Sequence, residues 1–153
     1  MALVGVISDT HGLLREQALE ALRGSDLIVH AGDVGSPDVL SALGQLAKVF
    51  PVCGNVDRDP WADSLPLSQV VAVEGLFLYV LHDLGQLDLV PAAAGFRAVI
   101  SGHSHRPSVS TKDGVLYLNP GSAGPRRFQL PVTLAQLRVD GGAIDAQIIH
   151  LPI

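Results

Sequence analysis

A single cysteine, Cys53, leaves no partner for an internal disulfide, so the chain is expected in a reducing compartment. No apolar run approaches the roughly 20 residues of a bilayer span, and with 48% apolar and only 16% charged residues the chain is neither a membrane-spanning nor a disordered protein. Basic residues are the scarcer kind, ten against fifteen acidic, and the net charge of −5 has the wrong sign for stable capture of a nucleic-acid duplex. The amino-terminal stretch has no basic residues ahead of its apolar run and reaches a carboxylate at Asp9, so a secretory leader is not expected and a cytoplasmic location is. Three catalytic signatures are absent: the Gly-x-x-x-x-Gly-Lys-Ser/Thr phosphate loop, the Gly-x-Gly-x-x-Gly dinucleotide loop and the Gly-x-Ser-x-Gly nucleophile elbow.

The 153 residues suffice for one domain, expected over 1–153. Residues 2–8 form a near-continuous apolar run, the pattern of a strand buried on both faces. Leu13, Leu14, Ala18, Leu19 and Leu22 then follow helical spacing up to Gly24. A second strand over 26–30, a helix capped by Ser36-Pro37-Asp38 and running to Gln45, and a third strand over 48–53 complete a β-α-β-α-β opening, which implies a parallel sheet. The later pattern predicts a hairpin across Glu74-Gly75, a short helix over 87–94, a buried strand over 98–101, and hairpins turning at Lys112-Asp113-Gly114 and Asp140-Gly141-Gly142, so the second half is expected to be mostly antiparallel.

Nearly every buried-type strand ends in a group able to ligate a metal: Asp9 and His11, Asp33, Asn55, His82, then His103 and His105. In open α/β sheets, ligands collect at the carboxyl ends of parallel strands, so seven residues spread over almost 100 positions can share one site. The pairs Asp9/His11 and His103/His105 are spaced i,i+2, which in extended backbone places both side chains on one face. Composition alone would produce about 0.5 Asp-x-His and about 0.2 His-x-His in a chain of this kind, so neither pair is informative by itself. The ordered set, each member following an apolar strand, is.

Asp9-Thr10-His11, Gly32-Asp33, Gly54-Asn55-Val56-Asp57, His82, Gly102-His103-Ser104-His105 and Asn119-Pro120-Gly121-Ser122 together resemble the signature of the calcineurin-like metallophosphoesterases, most closely the small single-domain YfcE-like phosphodiesterase branch. The resemblance runs from residue 3 to about 127. It implies an α/β fold, a four-layer α/β/β/α sandwich of the metallophosphoesterase type, with hydrolysis of a small phosphate ester at a two-metal centre. Carried over, Asp9, His11 and His105 bind one divalent ion, Asn55, His82 and His103 the other, and Asp33 bridges them. Manganese is the expected metal, with Fe, Co, Ni or Zn compatible with the mixed N/O donors. Asp33, Asn55 and His103 are then the catalytic groups, and the implied mechanism is in-line attack on phosphorus by a hydroxide bridging the two ions.

The chain departs from the family's pattern at two positions. Relatives often carry His or Cys directly after the Asn, whereas Val56 has no proton to give a leaving group, which predicts a preference for aryl or cyclic esters. His82 is followed by Asp83-Leu84-Gly85 where Gly is usual. Outside the ligand set, His30 is expected to be structural or to orient a ligand, Asp57 to orient a ligand or close a turn, and Arg126 to lie at the surface or meet substrate. His150 and Cys53 are expected to take no part. A non-catalytic interaction scaffold on the same fold and a phosphomonoesterase are the alternatives, and a homodimer is compatible with the apolar composition although no segment marks an interface.

Overall fold

The computed structural model describes residues 1–153. Its elements follow the order β1 (Ala2–Ile7), α1 (Glu16–Leu22), β2 (Leu27–His30), α2 (Pro37–Gly44), β3 (Lys48–Pro51), β4 (Ser68–Val73), β5 (Leu76–Leu81), α3 (Pro91–Ala94), β6 (Ala98–Ile100), β7 (Ser108–Lys112), β8 (Val115–Asn119), β9 (Thr133–Asp140) and β10 (Ala143–His150), with short 3-10 turns at Pro60–Ser64 and Leu84–Gln86. They build two five-stranded mixed sheets, ordered β10-β9-β1-β2-β3 and β4-β5-β6-β8-β7. No helix is long and apolar enough to cross a membrane.

Alternation along the strands sorts the side chains into layers. Ala2, Val4 and Val6 of β1, Ala135, Leu137 and Val139 of β9, Leu78 and Val80 of β5, and Leu116 and Leu118 of β8 meet in one core of 17 buried residues between the sheets. On the outer face of the first sheet, Ile7, Ile28 and Leu134 pack against Ala18 and Leu22 of α1 and Val39 and Leu43 of α2. A side chain at Gly5 would lie 2.6 Å from Leu22 Cδ2, so glycine lets α1 approach β1 closely. Ser36 caps α2, its Oγ accepting from Asp38 N–H at 3.2 Å, and Pro37 occupies the first helical turn, where its missing N–H leaves no bond unmade.

The outer face of the second sheet is covered more thinly. Leu81, Val99 and Val115 pack there with Tyr79, Leu87 and Tyr117. The helix expected over 87–94 is cut to the four residues of α3, because Pro91 has no N–H to donate and holds Val90 extended at φ −99°, ψ 103°. The fourth layer of the sandwich is therefore a strap with one helical turn. The second half is mostly antiparallel, as expected, with one exception: β6 is parallel to both β5 and β8. Its three residues are buried on both faces, the environment in which parallel pairing is found. The three hairpin turns fall where expected, with Glu74-Gly75, Asp113-Gly114 and Gly141-Gly142 at positive φ in two-residue connections.

Candidate metal centre

The carboxyl ends of β1, β2 and β3 in the first sheet and of β5 and β6 in the second point to one edge of the molecule, and all seven expected ligands gather there. Beyond its last ladder pair, the β1–β2 strand pair stays laced by Asp9 N–H to Gly32 O at 3.0 Å and His11 N–H to Asp33 O at 2.9 Å. The second sheet is tied in by His103 N–H donating to Asp9 Oδ2 at 3.1 Å. Asp9, His11, Asp33, His103 and His105 all have positive φ, between 48° and 72°. Five non-glycine residues in this sparsely populated region within one cluster amount to stored backbone strain of the kind that collects at functional sites.

Two nests of donor atoms result. Asp9 Oδ1 lies 3.4 Å from His105 Nε2 and 3.9 Å from His11 Nε2, and the two imidazoles face each other nitrogen to nitrogen at 3.4 Å. Asp33 Oδ2 stands between them and the second nest, 3.7 Å from His11 Nε2 and 3.3 Å from His82 Nε2. Asn55 Oδ1 completes that nest, 2.9 Å from His82 Nε2 and 3.2 Å from His103 Nδ1. With metal bonds of roughly 2.0–2.2 Å, donors sharing one ion sit roughly 3.0–3.5 Å apart. The second nest, at 2.9–3.3 Å, lies close to that spacing, and the first, at 3.4–3.9 Å, is somewhat wider. Asp9, Asp33, His82 and His105 are buried while Asn55 and His103 are exposed, so the second nest forms the mouth.

The fit to a cation is decided by Asp9. Its Oδ2 accepts from Ser8 Oγ–H and His103 N–H, but Oδ1 is fully buried with no hydrogen-bond partner. A buried anionic oxygen left so, ringed by imidazole nitrogens, is what cation ligation satisfies. Burial pushes the Asp9 carboxyl above its ordinary range. Burial also acts upward on Asp33, but hydrogen bonds from His82 and Val56 N–H outweigh it and hold that carboxyl at about 2. His82 is raised: burial acts downward and is overcome by its bonds to Asp33 and to the Ala31 carbonyl. His105 is lowered to about 4, first by burial and then by the charge of Arg127. Neutral imidazole and ionised carboxylate are the forms that ligate a metal.

The surrounding hydrogen bonds set orientation. His82 Nδ1 lies 2.7 Å from the Ala31 carbonyl, which fixes the proton there and turns Nε2 into the cluster. Asp33 Oδ1 accepts from Val56 N–H at 3.0 Å, leaving Oδ2 to face the histidines. His30 is fully buried: Nδ1 accepts from Gly32 N–H at 3.1 Å and Nε2 meets Thr10 Oγ at 3.0 Å. Thr10 Oγ–H in turn donates to Val34 O, so His30 is a neutral strut, held at about 4 chiefly by burial. Asp57 accepts from Val34, Gly35 and Gly54 N–H, clasping the loops after β2 and β3. A side chain at Gly54 would collide with Asp33, and one at Gly102 with Ser8 and Asp9.

Arg126 lies exposed in the loop at 125–129 and makes no hydrogen bond or ion pair with the cluster. Its neighbour Arg127 is the one whose charge reaches His105. Sequence reasoning missed Ser8, Thr10 and the action of Asn119, whose amide donates to Gly102 O and Ser104 Oγ and so braces the His103–His105 loop. Asn119 carried a usable signal as a polar residue ending an apolar strand, whereas Ser8 and Thr10 were hidden as small residues beside Asp9.

Residues 2–142 match the calcineurin-like phosphoesterase superfamily domain. The chain belongs to this superfamily. It is 37% identical to a probable metallophosphoesterase of Methanothermobacter thermautotrophicus, over 97% of this chain and 92% of the relative. A second probable metallophosphoesterase, from Methanocaldococcus jannaschii, is 36% identical over 97% of this chain and 81% of its own length. The fold is shared with an archaeal phosphodiesterase (TM-score 0.79, 22% identity, 96% of this chain and 99% of that one). It is shared equally with Vps29 of Chaetomium thermophilum (TM-score 0.79, 20% identity, 99% and 100%). Membership makes the chain a metal-dependent phosphoesterase, and Asp9 with His11 and His105, or Asp9 with Asp33 and His82, are groups whose donor atoms lie close enough together to hold a divalent metal.

Proposed function

We propose that the chain is a binuclear phosphodiesterase acting on a small phosphate ester, with Asp9, His11 and His105 holding one ion, Asn55, His82 and His103 the other, and Asp33 shared between them. The observation that carries this reading is the partnerless, buried Asp9 Oδ1 within 3.9 Å of the Nε2 atoms of His11, His82 and His105. Two dications, manganese by expectation, would supply positive charge against the phosphoryl and leaving-group oxygens and bring water towards ionisation near neutral pH.

The chain's own groups support water as the nucleophile of an in-line displacement. The Cys53 thiol is directed at the carbonyls of Gly54 and Asp57 and is raised by burial, and the Ser122 hydroxyl donates to Asp9 O at 2.8 Å. Neither is free to attack. Asn55 and His103, exposed at the mouth, are the groups that meet the ester, while Asp33 holds the centre between the two nests. Val56 is 46% exposed at that mouth and offers no proton, so leaving-group protonation is left to solvent. The net charge of −5 favours a small ester over a duplex.

The test is hydrolysis of bis-p-nitrophenyl phosphate, p-nitrophenyl phosphate and a leaving-group series by protein loaded with Mn²⁺, with metal stoichiometry measured alongside. Two ions per chain, faster turnover of the diester and a rate falling steeply with leaving-group pKa are expected. A flat leaving-group dependence or a preference for the monoester contradicts the reading. Two bound ions with no hydrolysis of any ester would indicate a scaffold, the alternative raised by the shared fold of Vps29. The full donor set favours catalysis over that alternative.

A further inference from the structure

Beside the second nest the molecule has a cleft of about 440 Å³, whose floor is Asn55, His82 and His103. Apart from those two histidines no basic residue lines it, and its wall carries Tyr79, Asp83 and Asp88. None of the arginines of the neighbourhood enters the cleft lining: Arg127 acts on His105 in the first nest, Arg15 donates to Gly124 O, and the exposed Arg58 is turned back onto its own loop, donating to Asn55 O at 3.0 Å. The cleft lining itself is therefore acidic, with Asp83 and Asp88 and neither Lys nor Arg, while Arg127 acts on the opposite side at His105.

Resting on the phosphodiesterase reading, we infer that this cleft receives one alcohol arm of the diester, and that Asp83, Asp88 and Tyr79 select an arm without negative charge, best a quaternary ammonium alcohol. Three features carry the inference. The cleft opens directly onto the exposed ligating groups, so an ester seated there extends an arm into it. Two carboxylates near that arm repel a second anion and attract a cation. The Tyr79 ring is an aromatic surface of the kind that contacts ammonium methyl groups. A further phosphate or a carboxylate on the same arm would meet like charge with no lysine or arginine in the cleft lining to offset it. Asp83 keeps its place by accepting from Gly85 N–H at 2.9 Å, a bond that an asparagine at that position can also make.

The experiment uses Mn²⁺-loaded full-length protein and three p-nitrophenyl phosphodiesters of matched size, bearing choline, its uncharged 3,3-dimethylbutyl analogue, or a carboxylate-ended arm. Binding of phosphocholine and of phosphoglycolate is measured in parallel by calorimetry. Two screened carboxylates should favour choline over the carboxylate arm by about tenfold in both kcat/KM and affinity, with the uncharged arm between. In the double variant Asp83→Asn, Asp88→Asn the preference should shrink to about threefold or less. Equal handling of the choline and carboxylate arms, or a preference that survives in the double variant, overturns the inference while leaving diester hydrolysis standing. If none of the diesters is hydrolysed yet phosphocholine is preferred in an Asp-dependent way, the charge rule of the cleft stands and the diesterase reading falls.

Discussion

Asp9 has two oxygens in opposite situations. Oδ2 receives two hydrogen bonds, while Oδ1 is buried without any. Exchanging the carboxylate for an amide removes the buried charge and with it the pull on a cation. Asp9→Asn should therefore leave the metal-free protein at least as stable, by about 1 kcal/mol in denaturant unfolding, while Mn²⁺-dependent hydrolysis drops by more than the roughly 100-fold reached by outer ligand contacts. A metal-free protein weakened by this change would show that Oδ1 is satisfied in some other way. His30 supplies a pH dependence. Its pKa is about 4 in the fold against an ordinary 6.5, so between these values the unfolded chain binds the proton and the folded one does not. Stability is then complete above pH 6.5 and declines as pH falls towards 4, by on the order of 3 kcal/mol over the whole window, after which this contribution is flat. The difference in unfolding free energy between metal-free wild type and His30→Gln should narrow from pH 7 to pH 5. A constant difference would mean that His30 does not titrate in this way. The seven candidate donors that the fold gathers were legible in the sequence because each follows an apolar strand, but the tautomer of His82 was not, since Ala31 O lies 51 positions away.

At the level of elements, the loops after the strands rather than the strands themselves carry the chemistry, and Asp57 joins two of them. It holds the loop after β2 through Val34 and Gly35 and the loop after β3 through Gly54. Asp57→Ala strands three amide donors at about 1–3 kcal/mol each, and a loss above about 3 kcal/mol is expected in urea denaturation, together with weaker metal binding. Loss of metal binding with full stability would assign Asp57 a direct part in the centre. The sequence left its role open between a turn and a ligand partner, because the spacing within Gly54–Asp57 does not reveal that Val34 and Gly35 lie alongside. Strands and hairpins were legible from alternation and from Gly at the turns. The stretch at 87–94 was misread because its apolar content favours a helix, while Pro91 restricts both itself and Val90.

At the scale of the whole molecule, the centre is a joint between two sheets. Candidate ligands following β1, β2 and β3 meet candidate ligands following β5 and β6, so a cation bound there would cross-link the two halves and stabilise only the folded state. At a metal concentration about 100 times Kd each site contributes about 2.7 kcal/mol, and for a chain of this size a rise in Tm of about 5–10 °C per site follows. Thermal melts with Mn²⁺ and with excess chelator check this; a melt indifferent to both would separate the cluster from metal. The chain's few helices make this joint more important, since the outer face of the second sheet is covered by little more than Leu87 and one helical turn.

Local chemistry written in the chain determined which residues could ligate, which segments were strands, and where the hairpins turned, since side-chain type, alternation and glycine placement act over a few residues. Pairing decided the rest. The parallel setting of β6, the approach of the two strand edges that closes Asp9 and Asp33 on His82 and His105, the burial that strips Asp9 Oδ1 of partners, and the acidic wall beside Asn55 all depend on contacts between residues tens of positions apart. Such contacts arise from the packing of two sheets through one core, which no short stretch of the chain encodes.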